Sequence, residues 1–190
     1  MNRYALQLFV LFEFTLACIH LNTAMAQDWP HYGATRGGTK YSKATTIDRS
    51  NVNDLQQAWV YRTGEAERLG ERFSKTAFQV TPILVEESLI FCTPSQRIVA
   101  LDPASGEERW VFDPEIDPAI NVLDIKCRGV EAWVDETAEE ESVCRTRILV
   151  STVDFRLIAV DAHDGRLCPG FGNKGVVTMP YDKDLAFTGE

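Results

Sequence analysis

Histidine is nearly missing from this sequence: among 190 residues there are only His20, His31 and His163. None has a serine or cysteine constellation beside it, so a hydrolytic triad has no support. Cysteine pairs at metal spacing are also missing. Cys92, Cys127, Cys144 and Cys168 are far apart, with no C-x-x-C among them, which sets zinc aside. Positive charge is scarce, with 19 Lys and Arg against 28 Asp and Glu and a net charge of −9. That balance disfavours nucleic acid and anionic membrane partners. Long apolar runs are missing as well: the stretch from Leu6 to Ile19 is broken by Glu13, whereas a membrane span needs about 20 uninterrupted apolar residues. Long helical periodicity is lacking too, and the apolar runs are short.

What the chain does have is a repeat. Leu89 to Gly106 reads LIFCTPSQRIVALDPASG and Ile148 to Gly165 reads ILVSTVDFRLIAVDAHDG; Arg97 and Arg156, Asp102 and Asp161, Gly106 and Gly165 are each 59 apart. Each copy reads as a strand, a polar turn, a second strand ending in Asp, and a Gly turn. Ile98 to Leu101 and Leu157 to Val160 are continuous apolar runs bounded by Arg and Asp, which suits strands covered on both faces. The following Asp starts a turn, and the Gly supplies a positive φ. A next strand is expected at Glu108 to Phe112. Ala58-Trp59-Val60-Tyr61 reads as the same outer strand of an earlier unit, with its Trp plugged between neighbours. A two-strand repeat of this kind points to an all-β, blade-built propeller. At about 40–60 residues per unit, two to three blades fit, fewer than the roughly four that closure needs. The chain is therefore expected to be the N-terminal part of a longer protein, open and incomplete.

Residues 1–26 read as a secretory signal: Arg3 charges the start, an apolar stretch follows, and Ala24-Met25-Ala26 offers an A-x-A cleavage site. The blade domain is then 27–190. Export brings Cys92, Cys127, Cys144 and Cys168 into an oxidising compartment, where four cysteines allow three pairings. Cys127 and Cys144 flank the acidic insert Trp133 to Ser142, and a bridge across that loop is the expectation.

Further residues carry a resemblance to a family. Asp28-Trp29-Pro30-His31-Tyr32-Gly33, Arg36-Gly37-Gly38, Tyr41-Ser42, Leu55 to Gly64 (LQQAWVYRTG), Val80-Thr81-Pro82-Ile83, Cys127-Arg128-Gly129-Val130 and Phe171-Gly172-Asn173-Lys174-Gly175 resemble the opening of the quinoprotein dehydrogenases. These are periplasmic eight-bladed propellers that use pyrroloquinoline quinone (PQQ). The C-R-G-V motif, the four cysteines and the F-G-N-K-G run are most similar to the membrane-bound glucose dehydrogenase branch. The adjacent cysteine pair of the alcohol dehydrogenase branch is not present.

The resemblance implies a set of cofactor-binding positions. Two residues before T-P, where the family commonly has Glu, stands Gln79, which keeps hydrogen bonding and loses the charge. Arg128 of C-R-G-V resembles the arginine that reaches a cofactor carboxylate or carbonyl oxygen, a task suited to a permanently charged, bidentate group. Asp124 stands where the glucose branch often carries a His beside the cofactor. Thr152 resembles a family threonine that hydrogen-bonds the cofactor.

The implied chemistry is oxidation of a sugar or alcohol substrate, with electrons passing to a quinone acceptor. In the family the metal, usually calcium, and the Asp general base belong to later blades. No catalytic residue or metal ligand is therefore assigned here, and the piece alone is not expected to turn over. A membrane domain is not encoded in this stretch, and a soluble periplasmic form is the expectation. The competing reading is a non-enzymatic envelope scaffold, since the L-x-A-L-D-x-x-S-G blade signature occurs there too. The D-W-P-x-Y-G opening together with C-R-G-V favours the dehydrogenase.

Overall fold

The computed structural model describes residues 28–117, 120 and 125–180. The expected signal peptide, Asp124 and the tail beyond Pro180 lie outside the described residues. Two four-stranded antiparallel sheets dominate the chain. A short parallel pair links into them, β1 (Thr76–Phe78) with β6 (Ile125–Cys127). The first blade runs β2 (Ile83–Val85), β3 (Ser88–Cys92), β4 (Ile98–Leu101) and β5 (Glu108–Phe112) in sequence order. The second runs β7 (Glu131–Val134), β8 (Thr146–Ser151), β9 (Arg156–Asp161) and β10 (Val176–Thr178). These are two open blades, as the repeat required.

Period-two alternation explains the continuous apolar runs. On the first blade Ile90, Cys92, Ile98 and Ala100 face one way and join Ile148, Val150, Ile158 and Val160 of the second in one buried cluster. Phe91, Val99 and Leu101 point the other way, against Trp59 and Tyr61. Ala159, Cys144 and Cys168 make a third cluster on the far face of the second blade. Each buried Ile, Val or Leu contributes about 1.5–3 kcal/mol over its exposed state, so both faces of each central strand are committed to cores.

The turns follow the sequence. Asp102 Oδ1 accepts the backbone N–H groups of Ala104 and Ser105, both at 2.9 Å, and Asp161 Oδ1 accepts that of His163 at 2.8 Å. Gly106 and Gly165 then take φ of 74° and 73°. A Cβ on Gly106 would lie 2.5 Å from the Trp59 ring, and one on Gly165 would lie 2.5 Å from the Trp110 ring. Glycine is thus required twice over, for its φ and for the indole stacked on it.

The expected Trp plug is present in both places. Trp59 Nε1 donates to Pro103 O and Trp110 Nε1 to Ala162 O, each at 3.1 Å. The strand expected around Ala58 to Tyr61 is not formed, because no neighbouring strand among the described residues pairs with it. Its Trp occupies the right socket all the same. A second staple repeats with it: Arg97 reaches Thr63 O at 2.6 Å, and Arg156 reaches Pro114 O at 2.7 Å. Arg97 also pairs with buried Glu65 at 2.8 Å. Glu65 opens the short helix α1 (Glu65–Leu69), which nothing in the repeat announced.

The expected Cys127–Cys144 bridge is corrected. The disulfides are Cys92–Cys127 and Cys144–Cys168, with Cα atoms 5.9 and 5.6 Å apart. β7 and β8 are antiparallel, with Glu131 opposite Leu149 and Val134 opposite Thr146. Cys127 and Cys144 therefore sit beyond opposite ends of that hairpin, out of each other's reach. The acidic insert closes with its own turns, among them Thr137 N–H to Asp135 Oδ1 at 3.1 Å.

Candidate functional site: a cleft at the ends of the parallel pair

In the parallel pair, Phe78 is in register with Cys127. The next residues, Gln79 and Arg128, therefore emerge side by side from the ends of two neighbouring strands. Both line one cleft of about 810 Å³, together with Tyr32, Gly129, Val130, Glu131, Leu149, Ser151 and Leu157. The Cys92–Cys127 disulfide ties the strand that carries Arg128 to the first blade, since Cys92 ends β3. Cys92 and Cys127 are 1% and 6% exposed, so this anchor is a core element.

Among the described residues, nothing in the protein forms a hydrogen bond or ion pair with the Arg128 guanidinium. Glu131, the nearest carboxylate in sequence, is engaged by His31 instead. Gln79 likewise makes no side-chain hydrogen bond to a described residue. A free guanidinium, a free amide and a hydroxyl thus meet in one concavity, with Val130, Leu149 and Leu157 as apolar walls and Glu131, turned to His31, on its rim. Such a set fits a planar polycarboxylate: the charge recognises the anion and the apolar walls accept its faces. Among the described residues, no three His, Cys, Asp or Glu side chains converge as a metal site.

Thr152 is placed differently. It is 7% exposed, its N–H bonds to Arg156 O at 2.9 Å, and its hydroxyl donates to Asp154. Its repeat mate Thr93 makes the same turn bond, N–H to Arg97 O at 2.8 Å. Thr152 thus builds the β8–β9 turn, and the residue before it, Ser151, faces the cleft. The signal was in the alternation: Ser151 shares its face with Leu149, while Ile148 and Val150 fill the core between the blades. Burial pushes the Asp154 carboxyl up, but bonds from Arg156 and Thr152 outweigh it and the pKa falls below the usual carboxylate value.

Two four-stranded blades in sequence, stapled by Trp and Arg at repeating positions, define a β-propeller protein. Residues 29–186 match the family model described as PQQ: glucose/ethanol/alcohol dehydrogenase, beta-propeller domain. The chain belongs to this family. It is 42% identical over 158 residues to the quinoprotein glucose dehydrogenase of Escherichia coli (strain K12), covering 80% of this chain and 20% of that protein. It is 38% identical to the glycerol dehydrogenase large subunit of Gluconobacter oxydans (strain 621H), again over 80% of this chain and 20% of the relative. Among solved structures, the quinohemoprotein alcohol dehydrogenase from Comamonas testosteroni superposes with a TM-score of 0.57 at 28% identity, over 73% of this chain and 18% of that one. The chain spans about a fifth of the length of the curated relatives it matches.

Proposed function

We propose that this chain forms one wall of the PQQ site of a periplasmic dehydrogenase that oxidises a sugar, glucose-like, or an alcohol and hands the electrons to a quinone acceptor. The observation that carries the reading is the meeting of unpartnered Arg128, Gln79 and Ser151 in one cleft at the ends of the β1–β6 pair. Arg128 binds an anionic carboxylate or carbonyl oxygen of the cofactor. Gln79 and Ser151 supply neutral hydrogen bonds, and Leu149 and Leu157 exclude water from the ring. PQQ, when bound, supplies the two-electron acceptor that no side chain here provides. The calcium and the proton-abstracting carboxylate are contributed by other parts of the protein. Family membership and the names of the relatives support the dehydrogenase class, and Ala24-Met25-Ala26 supports cleavage and export of the segment from residue 27 onward.

PQQ titration of the intact protein tests the reading. A charge-assisted bond is worth about 1.5–3 kcal/mol. Arg128→Ala should therefore weaken binding by about ten- to a hundred-fold. No saturable binding to the unaltered protein would return the chain to the scaffold reading.

A further inference from the structure

The loop before the blades is fastened to both of them. Trp29 pairs with Leu84 of β2 through two backbone hydrogen bonds of 2.9 Å, which adds the loop to the first blade. His31 Nδ1 meets Glu131 Oε1 at the start of β7, which ties it to the second. A carboxylate only accepts, so Nδ1 carries the proton in this bond. After these anchors the chain is folded tightly. Ala34 N–H bonds to His31 O at 3.0 Å, Lys40 N–H bonds to Gly33 O at 2.9 Å, and a Cβ on Gly33 would meet Gly38 Cα at 2.5 Å.

Tyr32 directly follows the His31 anchor and leads into this turn, and it lines the cleft with Gln79 and Arg128. Tyr32 is 56% exposed, and among the described residues its hydroxyl has no hydrogen-bond partner. Lys40 Nζ lies 4.9 Å from the ring centroid. A large aromatic side chain fixed by neighbours on both sides, yet left half-bare at the edge of a concavity, is built to be covered by a ligand.

We propose that Tyr32 contacts the bound cofactor in this cleft, and that the His31–Glu131 bond is the positioning device that holds it there. The inference rests on the cofactor reading above and extends it to a segment outside the blades. Tyr32 presents its ring to a planar, anionic, aromatic group, and His31 acts only through Tyr32.

The test is PQQ binding to the intact protein, followed by the cofactor's absorbance and by tryptophan fluorescence, across Tyr32→Ala, Tyr32→Phe, His31→Ala, the His31→Ala/Tyr32→Ala double variant and Arg128→Ala. Tyr32→Ala is expected to raise the Kd about tenfold, and Tyr32→Phe, which keeps the ring, to restore most of it. His31→Ala should raise the Kd by about fivefold, and the double variant should bind no more weakly than Tyr32→Ala alone, because the latch has nothing left to hold. An unchanged Kd for Tyr32→Ala beside a weakened Arg128→Ala would overturn this inference and leave the cofactor reading standing. Penalties that multiply in the double variant would overturn the positioning role of His31. Absence of saturable binding in the unaltered protein would remove the cofactor reading and this inference with it.

Discussion

Replacing Gly165 by alanine puts the blade interface under a direct load. Its φ of 73° is in the left-handed region, where a Cβ costs about 1–2 kcal/mol. The added carbon would also lie 2.5 Å from Trp110 Cε3 and 2.8 Å from Cδ2, so the indole must yield. Overpacking of this kind costs about 1–3 kcal/mol. If the ring lifts, the Trp110 Nε1 bond to Ala162 O, 3.1 Å long and buried, is lost, at about 0.5–1.5 kcal/mol. The terms are alternatives in part, since a ring that moves relieves the clash. A loss of about 3 kcal/mol is the expected result, roughly a hundredfold in the unfolding equilibrium. Gly170 is the control: its φ is not left-handed and a Cβ there meets nothing within 4 Å. Gly170→Ala should change stability by less than about 1 kcal/mol, in either direction. Both variants of the intact, oxidised protein would be compared by urea unfolding, read by tryptophan fluorescence for the interface and by far-ultraviolet circular dichroism for the sheets. If Gly165→Ala falls within about 1 kcal/mol of Gly170→Ala, the stacked-indole account of the blade contact is refuted.

Three further outcomes are expected. The β2–β3 hairpin turns on Glu86 and Glu87, both at positive φ (47° and 58°); Glu86→Asn with Glu87→Gly suits that turn and should raise the denaturation midpoint by an amount worth about 1 kcal/mol. The two disulfides close separations of 35 and 24 residues and each contributes about 3–4 kcal/mol by loop entropy. Replacing Cys92 and Cys127 by alanine should nonetheless weaken PQQ binding, while replacing Cys144 and Cys168 should not; equal effects would separate the disulfide from Arg128. Burial, and then the 2.7 Å bond from its hydroxyl to Glu108, push the Tyr61 pKa up to about 12. Its folded value exceeds the unfolded one of about 10, so the stability it contributes is complete below pH about 10 and is lost as pH rises through about 12. Tyr61→Phe should remove the highest-pH step from a spectrophotometric tyrosinate titration.

The blades were legible because their signals are local. A four-residue apolar run between Arg97 and Asp102, followed by an Asp turn and a Gly, leaves one economical arrangement, and Glu108–Phe112 formed the strand expected of it. The Trp sockets were legible from repetition. The site was legible in part. Gln79 and Arg128 meet because two strands pair in parallel across a long stretch of chain, and no spacing rule reports that pairing. Along β8, alternation puts Ser151 on the cleft face and Thr152 in the turn, and telling them apart from sequence needs to know which face the neighbouring blade covers. The disulfide expectation failed for a related reason: closeness along the chain was taken for closeness in space, and a hairpin moves its two ends' flanking residues apart. The part played by His31 could not be read, since its partner Glu131 is distant in sequence and belongs to another element.

Trp59 lies ahead of the first blade and Trp110 on that blade's last strand, and each is finished by the Asp–Gly turn of the blade that follows. The boundary of the repeating module therefore does not coincide with the boundary of a sheet. Removal of the second sheet alone, 131–178, would leave Trp110 without Gly165 and the Pro114 carbonyl without Arg156. Removal of one whole period, Asp102 to Val160, would instead bring Trp59 onto Gly165 and leave Arg97 on Thr63. The contact between blades is inherited only when the length gained or lost is a full period, so a library of excisions should be rescued by length and not by the secondary structure at the cut.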